Sequence, residues 1–327
     1  MTTGITAIGC SVPSRIVTNE ELTQTVDTSD EWIVSHTGIR ERRIVAEGQA
    51  ASDLAVEAAE VALQRRGIAA DDIDMIIVAT SSGDYPFPAT ACIVQHRLGC
   101  TRAAAFDLAA GCTGFVYAFE TARAFIESGG AQKILVIGSE VLTSITNWAD
   151  RNSCVLFGDA AGAVVIESLE GMAGHRIVRS WLRSDGSGEL ALMRPVGGSR
   201  TPFDPSLHGP ADMQIHMDGR KVYLFAVDAI VRTIQQLCEQ QGIEPSDLGW
   251  IVPHQANLRI IEAAAKRLRL PVERFYINMD RYANTSAASI PLALDEMIER
   301  ELIQNGQWVL AVGFGAGLTY GGNLIAW

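Results

Sequence analysis

Cys112, His254 and Asn284 each stand where a run with strand composition passes into a run with helical spacing. Side chains at such junctions look into a crevice beyond the ends of the strands. A cysteine at a helix start meets unpaired amides and the positive end of the helix dipole, which favour a thiolate. Together the three residues suggest covalent chemistry, in which the cysteine attacks and the N–H groups of histidine and asparagine stabilise an oxyanion or enolate. Each also has a plainer reading. Cys112 reads equally as a packed core cysteine, His254 as a histidine bonded within a helix start, and Asn284 as an N-cap. The run Gly313-Phe314-Gly315-Ala316-Gly317 is a tight turn between strands or a source of amides for an anionic oxygen. It lacks GxGxxG spacing and precedes a strand, so it is not a dinucleotide fingerprint; GDAAGA at 158–163 fails the same test.

The elements that must position these residues are legible in outline. A short apolar strand is expected at 103–108, just before Cys112. A helix is expected at 113–128, apolar nearly all round with Phe115, Val116, Phe119, Ala122, Phe125 and Ile126. Such a helix belongs in the middle of a large fold. Further strands are expected at 4–10, 74–79, 133–138, 162–167, 176–182, 248–253, 308–313 and 318–325. Helices are expected at 51–66, 89–98, 221–241, 258–268 and 284–301, and residues 18–38 read as short helix and loop. Residues 185–210, rich in Gly, Pro and Ser, read as a long loop.

The order repeats. A helix, a glycine and an apolar strand end at Val78, and the same sequence of elements ends at Pro253. Residues 110–114 correspond to 282–286, each opening a helix, and 134–138 correspond to 309–313. Four matched elements in one order argue for an internal duplication, with halves at 1–170 and 171–327. On this reading Cys112 and Asn284 occupy equivalent helix starts that face one cleft.

The net charge of -12, from 26 basic and 38 acidic side chains, argues against a nucleic-acid surface. The 48% hydrophobic content supports a large core, yet no apolar run reaches membrane length. Six cysteines form no CxxC pair, and nothing resembles a signal peptide, so a reducing, cytoplasmic setting is expected.

GCTGF at Cys112, VPHQANLRII at His254, ANTSAAS at Asn284 and GFGAGLTYGG near the end resemble the β-ketoacyl-acyl carrier protein synthase III family, within the thiolase superfamily. So do VDTSDEWIVSHTGIRER from Val26, FPATAC from Phe87 and DRNSCVLFGDAAGAVV from Asp150. The resemblance runs along essentially the whole chain. It implies a five-layered αβαβα thiolase-like α/β fold, a homodimer, and condensation of a primer acyl-CoA such as acetyl-CoA with malonyl-acyl carrier protein, to start fatty acid synthesis. No permanent cofactor or metal is implied. Coenzyme A thioester and the phosphopantetheine arm of the carrier protein enter as substrates.

Carried over by position, the resemblance makes Cys112 the acyl-accepting nucleophile, and His254 with Asn284 the pair that binds the malonyl thioester. The amides of Cys112 and of the Gly315-Ala316 stretch become the oxyanion hole. Trp32 and Arg151 sandwich the coenzyme A adenine, and His36 stands at its mouth where arginine is common. Phe87 floors the partner's acyl pocket, while Leu142 and Phe157 line the pocket itself. Arg259, Lys266 and Arg267 form a basic surface for the acidic carrier protein; by charge pattern alone they are equally a solvated helix face. Gly111 and Thr113 flank the cysteine where alanines are common, and Ala316 replaces a common glycine. A specialised condensing enzyme or acyltransferase of secondary metabolism would keep the same triad. A thiolase would require a second late cysteine, whereas the last one here is Cys238.

Overall fold

The structure, a computed structural model, describes residues 2–327. In chain order the strands are β1 (Thr3–Ser11), β2 (Arg15–Thr18), β3 (Glu41–Ile44), β4 (Met75–Ala79), β5 (Ala104–Leu108), β6 (Lys133–Val141), β7 (Asp159–Ser168), β8 (His175–Ser184), β9 (Leu192–Met193), β10 (His216–Met217), β11 (Leu248–Pro253), β12 (Trp308–Gly315) and β13 (Thr319–Ala326). The helices are α1 (Asn19–Leu22), α2 (Asp30–Thr37), α3 (Ala51–Arg66), α4 (Thr90–Leu98), α5 (Gly114–Glu127), α6 (Arg151–Cys154), α7 (Gly219–Gln241), α8 (Leu258–Leu268), α9 (Met279–Tyr282) and α10 (Ser289–Glu299).

Nine strands join in the order β11-β12-β13-β8-β1-β7-β6-β4-β5. The order is two half-sheets meeting at the short antiparallel pairing of β1 with β8. In the first half β5, β4 and β6 run parallel and β7 returns antiparallel. In the second half β11 and β12 run parallel and β13 returns antiparallel. A lone parallel bridge from Ile251 to Phe275 takes the place of the β4–β5 pairing. Ile76 pairs with Leu135, and Ile251 pairs with Leu310, so the registers of the halves match.

The layers follow from where apolar faces find cover. α3 and α4 pack outside the first half-sheet, with Leu54, Ala58 and Ala62 against Ile76, Val78 and Val165. α7 and α8 pack outside the second, with Ile230, Ile234 and Ile261 against Leu310 and Leu324. α5 and α10 lie between the two: Phe115, Phe119, Ile290 and Met297 share a core with Ile134, Val136, Val252 and Val309. α5 therefore belongs to the central layer of an αβαβα stack, but it is not apolar all round as expected: Phe125 is 37% exposed, and Arg123 pairs with Glu120 and Glu127.

Several boundaries differ from the sequence reading. Both central helices start later than expected, each behind a 3-10 turn: 111–113 before α5 and 286–288 before α10. These turns are the equivalent positions of the two halves. Cys112 thus has Ala287 as its counterpart, and Asn284 lies in the approach to the turn. The cause is an insertion. Nine residues lead from Ala105 to Gly114, but fourteen from Phe275 to Ser289, and α9 lies within the longer path. The excursion after β8 is also more ordered than a loop. Residues 186–191 form a 3-10 helix, and β9 pairs with β10.

The two halves touch through bare backbone at β6. A Cβ on Gly138 would overlap the Ala287 carbonyl, so only glycine lets the 286–288 turn seat there. Gly138→Ala should therefore lower stability by about 1–3 kcal/mol, the usual cost of overpacking. Urea unfolding checks this; an unchanged midpoint would contradict the close seating.

Candidate active site

The turn that carries Cys112 is held by the hairpin of β12 and β13. Thr113 Oγ1 donates to Thr319 O (3.0 Å), and Thr319 Oγ1 lies 2.9 Å from Ala110 O. Gly111 sits at φ +54°, which glycine adopts without strain. A Cβ on Gly315 would stand 2.6 Å from Cys112 N, and one on Gly111 would stand 3.0 Å from Ala316 N. The Cys112 amide and the 315–316 backbone are thus gathered at one point beside the thiol.

His254 continues from β11, its amide bonded to Val312 O (2.8 Å). Its ring is 1% exposed and pinned on two sides. Nδ1 lies 2.8 Å from Ser289 Oγ, and Phe314 meets the ring edge-on at 5.1 Å. Gln255 fixes the turn by donating to Pro253 O and Tyr276 O and accepting from Asn278 N. Asn284 is knitted to the 156–158 segment: its amide donates to Leu156 O, and its carbonyl accepts from Gly158 N. Asn284 Oδ1 accepts from Ser286 N (2.9 Å). That bond fixes the amide orientation and leaves Nδ2 as the donor for a ligand.

Cys112, His254 and Asn284 line one cavity of about 530 Å³, together with Phe314 and Gly315. Trp32, His36, Asp150 and Asn152 lie toward its mouth. Sequence explains the mouth. Ser29 caps α2 by accepting from Trp32 N, Asp30 and Glu31 occupy the first turn, and Asp150 caps α6. His36 stacks on Trp32 at 4.4 Å, and the Arg151 guanidinium lies over the same indole at 4.7 Å. Trp32 and Arg151 are in direct contact, so a flat ring enters between them only if Arg151 moves. A second pocket of about 120 Å³ leads off Cys112, lined by Leu142, Ile145, Phe157, Leu192 and Ile215. Leu192 comes from the excursion after β8, which thereby walls both spaces.

Burial dominates the electrostatics. It pushes the Cys112 thiol up to about 12, with the Ser286 hydroxyl pulling the other way and Glu140 adding to the rise. The expected thiolate is therefore not the resting form; desolvation outweighs the helix start. Burial likewise pulls His254 down to about 3, so the imidazole is neutral. The resting pair is thiol and imidazole rather than thiolate and imidazolium.

Other expected residues stand apart from the cavity. Phe87 is 85% exposed and lines neither of these two spaces. Arg259, Lys266 and Arg267 are exposed on α8, and two of them are engaged with other segments. Arg259 Nε donates to Ser35 O (2.9 Å), and Arg267 pairs with Asp228 (3.3 Å). Asn257 Nδ2 donates to His36 O, so α8 also holds the end of α2. Sequence reasoning passed over Ser286, Ser289, Gln255 and Glu140. The two serines lie inside the ANTSAAS block already singled out, but only the fold reveals which atoms they reach.

This stack of layers, with a cysteine under one central helix and His254 and Asn284 across the cavity, is the thiolase-like architecture of an acyltransferase that condenses thioesters. Residues 106–186 match the family model of 3-oxoacyl-[acyl-carrier-protein] synthase III, and 238–327 match the model of its C-terminal part. The β-ketoacyl-[acyl-carrier-protein] synthase III of Caldanaerobacter subterraneus is 48% identical, with 99% of this chain and 97% of that protein covered. The crystal structure of the Thermus thermophilus synthase III is 45% identical, with 99% of each chain covered and a TM-score of 0.91. The priming β-ketosynthase of the R1128 polyketide pathway is more distant, at 34% identity and a TM-score of 0.89, with 99% and 96% covered. The chain belongs to the β-ketoacyl-[acyl-carrier-protein] synthase III family. Fatty acid biosynthesis is favoured over the secondary-metabolite alternative.

A thiol raised by burial gains thiolate tenfold per pH unit until its pKa is reached. Alkylation of Cys112 should therefore keep rising from about pH 6 to about pH 9, without a plateau. Peptide-resolved mass after iodoacetamide pulses checks this. A plateau below about pH 8 would show a stabilised thiolate.

Proposed function

We propose that Cys112 carries the primer acyl group in a decarboxylative Claisen condensation of an acyl-coenzyme A with malonyl-acyl carrier protein. The observation that carries this reading is the meeting of Cys112, His254 and Asn284 on one cavity, from which a small apolar pocket departs at the sulfur. In the first half-reaction Cys112 Sγ attacks the primer carbonyl. The carbon–sulfur bond to coenzyme A breaks, and the thiol proton leaves with the departing thiol. The amides of Cys112 and the Gly315-Ala316 stretch bind the transient oxyanion. In the second, the malonyl carbon–carbon bond breaks and releases carbon dioxide. His254 and Asn284 bind the enolate oxygen, and its carbon attacks the acyl-cysteine, returning the Cys112 thiol once a proton is taken up. Atoms balance with no redox partner and no resident cofactor.

Trp32 and Arg151 are read as the seat of the coenzyme A adenine, with His36 at its mouth; the guanidinium lies over the indole and shifts when the ring enters. Leu142 and Phe157 are read as the primer pocket. The exposed Phe87 suits a residue that completes the pocket of a second copy, which supports a homodimer. Arg259, Lys266 and Arg267 give an otherwise acidic protein a basic face on α8 for an acidic carrier protein. Six cysteines, all free, suit a cytoplasmic setting, and no helix among the described residues is long and apolar enough to cross a membrane.

Intact mass after incubation with acyl-coenzyme A tests the reading. One acyl group per chain should appear, short primers should label faster than long ones, and Cys112→Ser should not accumulate the thioester. Acylation at Cys92 or Cys154 instead would overturn the assignment.

A further inference from the structure

Arg42 is a fully buried cation on a ribbon outside the nine-stranded sheet. β3, which carries it, pairs with β2 alone, Arg42 opposite Val17. Nη1 donates to Val17 O (3.3 Å) and to Asn19 Oδ1 (2.9 Å), and Nη2 donates to Val155 O (3.0 Å). None of these acceptors is a carboxylate. Burial lowers the guanidinium to about 10, which leaves it charged at neutral pH. A buried charge without a counter-ion is costly, and an apolar side chain of similar size would fill the space at less cost. What the position gains is the rigid fork of donors, which ties together segments far apart in the chain.

Each end of the fork leads to the site. Val155 is followed by the three residues that seat the Asn284 backbone. The Asn284 amide donates to Leu156 O (2.9 Å), its carbonyl accepts from Gly158 N (3.0 Å), and Phe157 bridges to it in parallel. A Cβ on Gly158 would stand 3.3 Å from the Arg42 Cβ, so this segment runs directly against the arginine. At the other end, Asn19 Nδ2 donates to Asp30 Oδ1 (2.9 Å) and to Ile39 O (2.8 Å). These bonds fix the start of α2 and the chain just past its end, and α2 carries Trp32 and His36. The ribbon also grips the other approach to Asn284. Arg40 N donates to Asp280 O (3.0 Å) on α9, the helix that leads into Asn284.

We propose that Arg42 is a positioning residue that holds the 155–158 segment, and through it the Asn284 donor, in place relative to the Trp32 mouth. The inference rests on the reading of Asn284 as a donor to the malonyl enolate. Displacing such a group by about 1 Å costs up to about a hundredfold in the step that uses it. Acyl transfer relies on the amides of the Cys112 turn and of the 315–316 stretch, none of which Arg42 touches.

Arg42→Lys tests this, because lysine keeps the charge but replaces the fork with one nitrogen. Acylation of Cys112 is followed by intact mass, and release of labelled carbon dioxide from malonyl-carrier protein is followed beside it. Carbon dioxide release should fall roughly ten- to a hundredfold, with acylation changed less than about threefold. Hydrogen exchange of the peptide spanning 156–158 should speed up, since its bonds to Asn284 open more often. Arg66→Gln cuts a remote buried pair with Glu167 (2.6 Å) and controls for general loosening; it should leave the ratio of the two steps unchanged. Should Arg42→Lys fail to fold, Asn19→Ser keeps the arginine, removes the side-chain acceptor from Nη1, and should lower the same ratio about two- to fivefold. Equal loss of both steps in Arg42→Lys, unaltered exchange at 156–158, an unchanged ratio in Asn19→Ser, or an equal shift of the ratio in Arg66→Gln would overturn the proposal. Exchange needs no substrate, so an unaltered protein that releases no carbon dioxide would defeat the functional reading and leave that measurement standing.

Discussion

Backbone-to-backbone contact at the centre of the molecule is the constraint on which the site depends. Gly138 lets the 286–288 turn rest on β6, and Gly315 lets the end of β12 rest on the Cys112 turn. Neither contact leaves room for a Cβ. Because turns rather than long side chains meet there, amides and short polar groups from both halves converge within one cavity. Such convergence suits negative charge that develops on oxygen, since preorganised donors need no rearrangement when it appears.

The cost of that closeness is desolvation. Cys112 and His254 are both pressed toward their neutral forms by burial. A neutral pair does not attract ions into the cavity. It also fits a reaction whose two anionic intermediates sit on different oxygens. Ser289 holds His254 through Nδ1, and Ser286 holds Asn284 through Oδ1, so the opposite ends of both side chains remain for a ligand.

Much of this was legible in the sequence. The apolar residues of α5 pointed to a central helix, although Phe125 lies exposed, and the repeated helix-glycine-strand order pointed to two halves. Cys112, His254 and Asn284, singled out by residue type and junction, line one cavity. The pairing of Cys112 with Asn284 across the pseudo-symmetry was not correct, because five extra residues between Phe275 and Ser289 shift the second half. Spacing in sequence does not reveal which side of a helix start has been lengthened. The thiolate expectation failed for a related reason. A helix start is visible in a sequence, whereas the desolvation opposing it depends on packing by distant residues. Strands β2 and β3 were missed because a four-residue edge pair carries little periodic signal. The buried Glu140 gave no sign either, as its donors Thr80, Ser81 and Ser82 come from a loop 58 to 60 residues earlier in the chain.

The central claim is that one cavity handles two anions with two sets of donors. It is tested most directly by following acyl transfer and carbon dioxide release separately in Asn284→Ala. Acylation of Cys112, read by intact mass, should proceed nearly as in the unaltered protein. Release of labelled carbon dioxide from malonyl-carrier protein should fall by roughly two to three orders of magnitude, the usual loss for one oxyanion donor. A folded Asn284→Ala protein that cannot be acylated, or one that still releases carbon dioxide at the full rate, would contradict the division.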